Sequence, residues 1–242
     1  MPEKWFQKLF YKETVLAIKS SLDFFSYESF KSDLVLLLPQ ESKKSRIRIA
    51  NNILHRFFPD KKIYDFLPQV WEVYQDEELL REIIRYDLLK QEPVLTDFVI
   101  NHILTRPAGE RLPSQIFNEY IKETYGKKTE NLSWWLQGAL RDLGYISKAD
   151  LHWQINELRI PETAFLVLLH RIFAPYPTRI DINTILEDNF WKILGIRNSS
   201  TITNLLYKAH LLNLLEYKED IVETQYPLES IFLSIKNNFN AI

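Results

Sequence analysis

Apolar residues recur every three or four positions along most of the chain, the spacing that gathers them on one face of an α-helix. These runs predict helices over 12–25, 28–38, 43–58, 63–74, 76–91, 94–105, 113–125, 129–143, 161–174, 181–194, 199–213 and 228–238. Pro39, Pro59, Pro93, Pro107, Pro161, Pro175 and Pro227 punctuate them, where a missing amide hydrogen does least damage. Two stretches leave this period for strict alternation. After 129–143, Tyr145, Ile146, Leu151, Trp153 and Ile155 alternate around a polar Ser147–Asp150 turn. After 199–213, Leu215 and Tyr217, then Ile221 or Val222, Thr224 and Tyr226, flank Lys218–Asp220. Each reads as a hairpin that follows helices.

Helices followed by a β-hairpin are the order of a winged helix, whose last helix enters a DNA groove while the hairpin touches the backbone. The two stretches also match at an offset of 70 residues: Leu132, Trp135, Leu136 and Ala139 against Ile202, Leu205, Leu206 and Ala209. Any two amphipathic helices can be slid into such a match, and the paired hairpins weigh toward a duplication. The expected fold is mainly α: an N-terminal helical domain over 1–93, then tandem winged-helix-like units with short β-hairpins over 94–160 and 161–242.

Composition narrows the function. With 242 residues, 46% hydrophobic and 26% charged, the chain fits one large or two small globular domains. Thirty basic against 32 acidic side chains leave a formal charge of −2, so a nucleic-acid partner must be met by a local patch. There is no cysteine, hence no disulfide, thiolate nucleophile or cysteine-held metal. The five glycines are scattered and build no phosphate-cradling loop. The longest apolar stretch, 165–173, contains His170 and Arg171 and falls short of the roughly 20 residues that cross a bilayer. MPEKWFQKLFYKE carries no secretory core. A soluble cytoplasmic protein without a membrane partner is expected.

From Lys43 to Lys62 there are seven basic residues (Lys43, Lys44, Arg46, Arg48, Arg56, Lys61, Lys62) against one acid, Asp60. On a helix, Ile47, Ala50, Ile53, Leu54 and Phe57 share one side, and Lys44, Arg48, Asn51, Asn52 and His55 the other. The second face suits phosphates through Coulomb attraction and counterion release. Arg46 points toward the apolar side, which predicts an internal carboxylate partner. The plain alternative is a solvated face paired with the acidic helix 76–92, which holds six acids and three bases.

On 129–143, Ser133, Trp134, Gln137, Gly138 and Arg141 form the predicted outward face, preceded by Lys127, Lys128 and Thr129. In a winged helix Gln137 would bond an adenine edge, Arg141 and the lysines would meet phosphate or guanine, and Gly138 would allow close approach. An exposed Trp134 fits a protein contact better. The corresponding face of 199–213 carries Ser200, Thr203, Asn204, Tyr207 and Lys208. Over 197–242 four bases meet five acids, so that unit is expected to serve packing or dimerisation.

Catalytic signals are thin. The five histidines are far apart with no metal-binding spacing, no serine lies in a nucleophile elbow, and acids at helix starts suit the helix dipole better than a metal. No enzyme activity, cofactor or metal is expected.

The run LVLLLPQESKKSRIRIANNILHRFF and the later SWWLQGALRDLGYI resemble the BrxA family of BREX bacteriophage-defence systems. The resemblance implies a small, non-catalytic, mostly helical protein that binds double-stranded DNA beside other defence-system proteins. It carries Lys43, Lys44, Arg46, Arg48 and Arg56 across as contacts. The expectation is thus a DNA-binding accessory protein, with a second copy of the chain among its candidate partners; the alternative is a protein-interaction scaffold working through Trp134, Tyr207 and the helix 76–92.

Overall fold

The computed structural model describes residues 7–126 and 130–239. Five helices open the chain: α1 (Tyr11–Ser21), α2 (Tyr27–Leu37), α3 (Lys43–Phe57), α4 (Phe66–Tyr74) and α5 (Glu77–Gln91). The Ser26 hydroxyl caps α2 and the Asp76 carboxylate caps α5, taking amide hydrogens that have no partner within the helix. Next comes α6 (Pro93–Phe98), whose first-position proline loses no helical hydrogen bond, running into a π-helical turn at Val99–Ile103.

Two segments of like order follow. The first is β1 (Arg111–Leu112), α7 (Gln115–Tyr125), α8 (Glu130–Asp142), β2 (Ile146–Ala149) and β3 (His152–Ile155). After α9 (Glu162–Ile172) comes β4 (Arg179–Asp181), α10 (Ile182–Glu187), α11 (Phe190–Ile193), α12 (Ser199–Leu211), β5 (Leu215–Lys218) and β6 (Ile221–Thr224). Each segment closes a three-stranded antiparallel sheet with its last strand in the middle, in the orders β1-β3-β2 and β4-β6-β5. Leu112 pairs with Trp153, and Ile180 with Val222. Glu219 and Asp220 both hold left-handed φ, at 53° and 65°, as a two-residue hairpin turn requires.

The chain is therefore mainly α with two small sheets; both hairpins follow the helices expected to precede them, but the first turns at Asp150–Leu151, because Ser147–Ala149, expected in the turn, pair with Gln154, Trp153 and His152 as strand β2. The structural register between the segments is 69 residues, not 70. Gly144 and Asn213 both end their helices in the left-handed region, Tyr145 N donates to Leu140 O, and Leu214 N donates to Ala209 O.

The last helix, α13 (Leu228–Phe239), returns to the start of the chain and packs on α9 and α4. Tyr74 Oη donates to Phe232 O at 2.8 Å, Lys236 Nζ donates to Val73 O at 2.5 Å, and the Phe66 and Phe232 rings lie 5.8 Å apart. Buried apolar side chains from Leu9 to Ile235 form one continuous core.

Arg85 of α5 stands where the parts meet, only 2% exposed. Its Nε and Nη2 donate to Leu143 O at 3.0 and 2.7 Å, and Nη1 donates to Leu194 O at 3.3 Å. Those carbonyls follow the ends of α8 and α11, where the helix dipole is negative. The guanidinium also lies over the Tyr145 ring, 4.9 Å from its centre, and Tyr145 Oη donates to Ile193 O.

Arg85→Met would leave two buried carbonyls without a donor, and a loss of about 3 kcal/mol is expected in urea unfolding, with Arg85→Lys recovering only part of it. A second expectation concerns His170, buried at 4% exposure with Nδ1 2.8 Å from Leu166 O. Burial holds its imidazole below the ordinary pKa of 6.5, so the folded chain keeps it neutral while the unfolded chain takes a proton. That contribution is intact at about pH 7 and is lost as pH falls below the unfolded value. Between about pH 7 and about pH 5.5, His170→Gln should therefore lose less stability than the parent chain; an equal loss would exclude His170 as the cause.

Candidate nucleic-acid interface

Helix α3 begins at Ser42, with no acid in its first turn and two lysines there instead. Cations at the positive end of the helix dipole are unfavourable by roughly 0.3–1 kcal/mol each, so helix stability does not account for Lys43 and Lys44. Ile49, Ala50, Ile53, Leu54 and Phe57 anchor the helix in the core. Ile49 thus takes the inward place that periodicity gave to Ile47, which is 41% exposed. Facing solvent are Lys43, Lys44, Arg48, Asn51 and His55, with Asn52 half-buried beside them.

The basic residues divide into two groups. Lys43, Lys44 and Arg48 meet no carboxylate at ion-pair distance among the described residues. Arg46 is different: its Nη1 donates to Gln40 O at 2.8 Å and Glu41 O at 3.2 Å, so backbone carbonyls of the α2–α3 turn replace the carboxylate expected for it. Arg56 is 6% exposed and forms a buried ion pair with Glu92, which removes it from the set of DNA contacts. Its position on the apolar side of α3, one residue from Phe57, is the physical reason. Asn52 Nδ2 donates to Gln7 Oε1 at 2.5 Å.

One cation escaped sequence reading. Lys8 precedes every helix and belongs to no periodic run, yet its Nζ lies 5.2 Å from the centre of the Phe10 ring. The Arg48 guanidinium carbon lies 5.7 Å from the same centre. Lys8 thus joins the exposed strip of α3 across Phe10.

On α8 the outward face is narrower than expected. Ser133 is 1% exposed, a correction explained by the 69-residue register, in which it occupies the core position that Ile202 fills in the second segment. Gln137 is half-buried; its Nε2 donates to Ser133 Oγ at 3.3 Å and its Oε1 accepts from Trp153 Nε1 at 3.1 Å. Each end of the amide thus already makes one hydrogen bond within the segment, which ties its orientation to Ser133 and Trp153. Arg141 is exposed, but its Nε and Nη2 both donate to Asp142 Oδ1, at 2.9 and 2.8 Å. Lys127, Lys128 and Thr129 lie outside the described residues. Trp134 is 66% exposed, Tyr207 on α12 is 56% exposed, and Leu151 at the tip of the β2–β3 hairpin is 85% exposed. Lys208, on the same face as Tyr207, donates to Glu162 at 2.6 Å.

The acidic helix α5 does not face α3 as a free acidic surface. Asp76 caps it, and Glu77, Glu78, Glu82, Asp87 and Glu92 pair with Lys19, Arg81, Arg159, Arg171 and Arg56 respectively. Burial raises the Glu82 carboxyl above its ordinary range, against the pull of Arg159. A cleft of about 370 Å³ opens beside α5, but its charged groups are largely engaged with one another or with carbonyls. Among the described residues there is no group of three or more His, Asp or Glu side chains suited to a metal ion, and no helix is long and apolar enough to cross a membrane.

No protein-family model, curated protein or solved structure matches the chain.

The two groups of cations should separate in stability measurements. Arg56→Leu, which removes the arginine of a buried ion pair, should cost about 3–5 kcal/mol in urea unfolding. Lys44→Ala and Arg48→Ala should each stay within about 0.5 kcal/mol of the parent chain.

Proposed function

We propose that this protein is a non-catalytic DNA-binding accessory factor that grips the phosphate backbone of duplex DNA through Lys8, Lys44 and Arg48, with Lys43 at the margin. The observation that carries this reading is a solvent-facing strip of cations, with no carboxylate at ion-pair distance among the described residues, on a chain whose net charge is −2. Lysines at the wrong end of the helix dipole support it, because charge there serves something other than the helix. Contacts of this kind position DNA and carry little sequence information.

In the same reading, the two sheet-bearing segments, with two helices between the first strand and the hairpin in one and three in the other, are winged-helix-like units. The engaged amide of Gln137 and the Asp142-held Arg141 argue against base reading by the first of them. The resemblance of the basic run to the BrxA family supplies the setting: a cytoplasmic role in bacteriophage defence beside other proteins of that system. A second reading, a protein-interaction scaffold, is favoured by one observation, the exposure of Trp134. An aromatic of that size on a surface is a common interface anchor.

A salt titration of duplex-DNA affinity separates the two. Each phosphate contact adds about −0.9 to the slope of log affinity against log salt. Lys44→Ala/Arg48→Ala should reduce the slope by about 1.8 and weaken binding roughly 60-fold at about 0.1 M salt. An unchanged slope in the double variant overturns the DNA reading. A Trp134-dependent association with little response to salt would support the scaffold.

A further inference from the structure

We propose that Arg56, though buried, is a positioning residue of the polyanion strip, acting through Lys8; this rests on the DNA reading above. Arg56 donates from Nη2 to Gln7 O and from Nη1 to Lys8 O, both at 3.3 Å. Nη2 also carries the ion pair to Glu92, on the segment that joins α5 to α6. Nη1 donates to Asn52 Oδ1 as well, and Asn52 Nδ2 holds the Gln7 side chain. One guanidinium therefore clamps the carbonyls of two successive residues that belong to no helix, and does so from inside the core. Fixing those two carbonyls fixes the direction in which the next side chains leave the backbone. Phe10 goes into the core at 8% exposure, and Lys8 stays outside, near the same ring as Arg48.

Lys8 and Arg48 are then at most about 11 Å apart, the sum of their two distances to the ring centre. Neighbouring phosphates along a strand fall within that reach. Without the clamp, Lys8 would be held only from one side, by the buried Leu9 and Phe10, and ordering it on DNA would offset part of what the contact contributes. Glu92 completes the device by balancing a charge that would otherwise be costly to bury.

The test uses salt-dependent duplex-DNA binding of the full chain, with a thermal melt to certify folding. Arg56→Met/Glu92→Leu replaces the ion pair by apolar groups of similar size, a kind of exchange that often preserves stability. It should lower the salt slope by about 0.9 and weaken binding roughly eightfold at about 0.1 M salt, matching Lys8→Ala. Adding Lys8→Ala to the exchanged pair should produce no further loss. Arg56→Lys keeps the charge beside Glu92 but cannot span both carbonyls, and should show the same reduced slope; it carries the test if the exchanged pair does not fold. A full slope in a folded Arg56 variant, or losses that add to that of Lys8→Ala, overturns the proposal. Lys44→Ala/Arg48→Ala is measured alongside. A reduced slope there with a full slope in the Arg56 variants removes only the positioning role, whereas a full slope in both removes the DNA reading with it.

Discussion

The architecture depends on a buried cation that has no carboxylate in its own hydrogen-bond shell. Arg85 exchanges hydration for the carbonyls of Leu143 and Leu194, and so joins the opening helices to the ends of helices in both sheet-bearing segments. A guanidinium is suited to this because its planar fork reaches two acceptors at once, which an ammonium cannot do with comparable geometry. The turn that delivers the Leu143 carbonyl favours a glycine: Gly144 has φ of +81°, a left-handed conformation that L side chains rarely adopt, while a Cβ there would meet Arg85 Nη2 and the Arg81 guanidinium only at ordinary contact distances of 3.4 and 3.5 Å. Sequence alone showed Arg85 as one of three bases on an acidic helix. Its task became visible only when α5 met elements dozens of residues away.

The same division between cations that hold the fold and cations left to solvent governs the candidate interface. A dense basic run is ambiguous because charge density says nothing about direction. Within fifteen residues of α3, Arg46 satisfies a turn, Arg56 is sealed against Glu92, and Lys43, Lys44 and Arg48 remain in water. The last three owe the fold little, and that is what leaves them available to a polyanion. Trp134 and Leu151 present a different kind of surface, apolar and exposed, on the first sheet-bearing segment.

Much of the helical layout was legible because long amphipathic runs repeat their signal over several turns. The strands Arg111–Leu112 and Arg179–Asp181 were not, since two or three residues are too few to display alternation. The run 181–194 read as one helix, but the Asp188 carboxylate accepts from Phe190 N at 2.8 Å and a new helix starts there. Ser133 read as a groove contact because periodicity gave the core face of 129–143 to its apolar residues alone; in the 69-residue structural register it takes the core position of Ile202. Its hydroxyl looks polar in the sequence, yet its place in the packing is that of an isoleucine. On α3 the solvent face was correctly read at Lys44, Arg48, Asn51 and His55, and wrongly at Ile47. Lys8 lay beyond reach because only tertiary contact brings residues near the start of the chain against α3.

The return of α13 to α4 has a kinetic side. Tyr74 and Lys236 take part in hydrogen bonds that span 158 and 163 residues of chain. During synthesis, the face of α4 around Phe66 and Tyr74 is made well over a hundred residues before the helix that covers it, as the 158- and 163-residue separations of those bonds show. Closure of that face by α13 is a contact of high sequence separation, the kind whose loop-closure entropy must be met before the contact contributes anything.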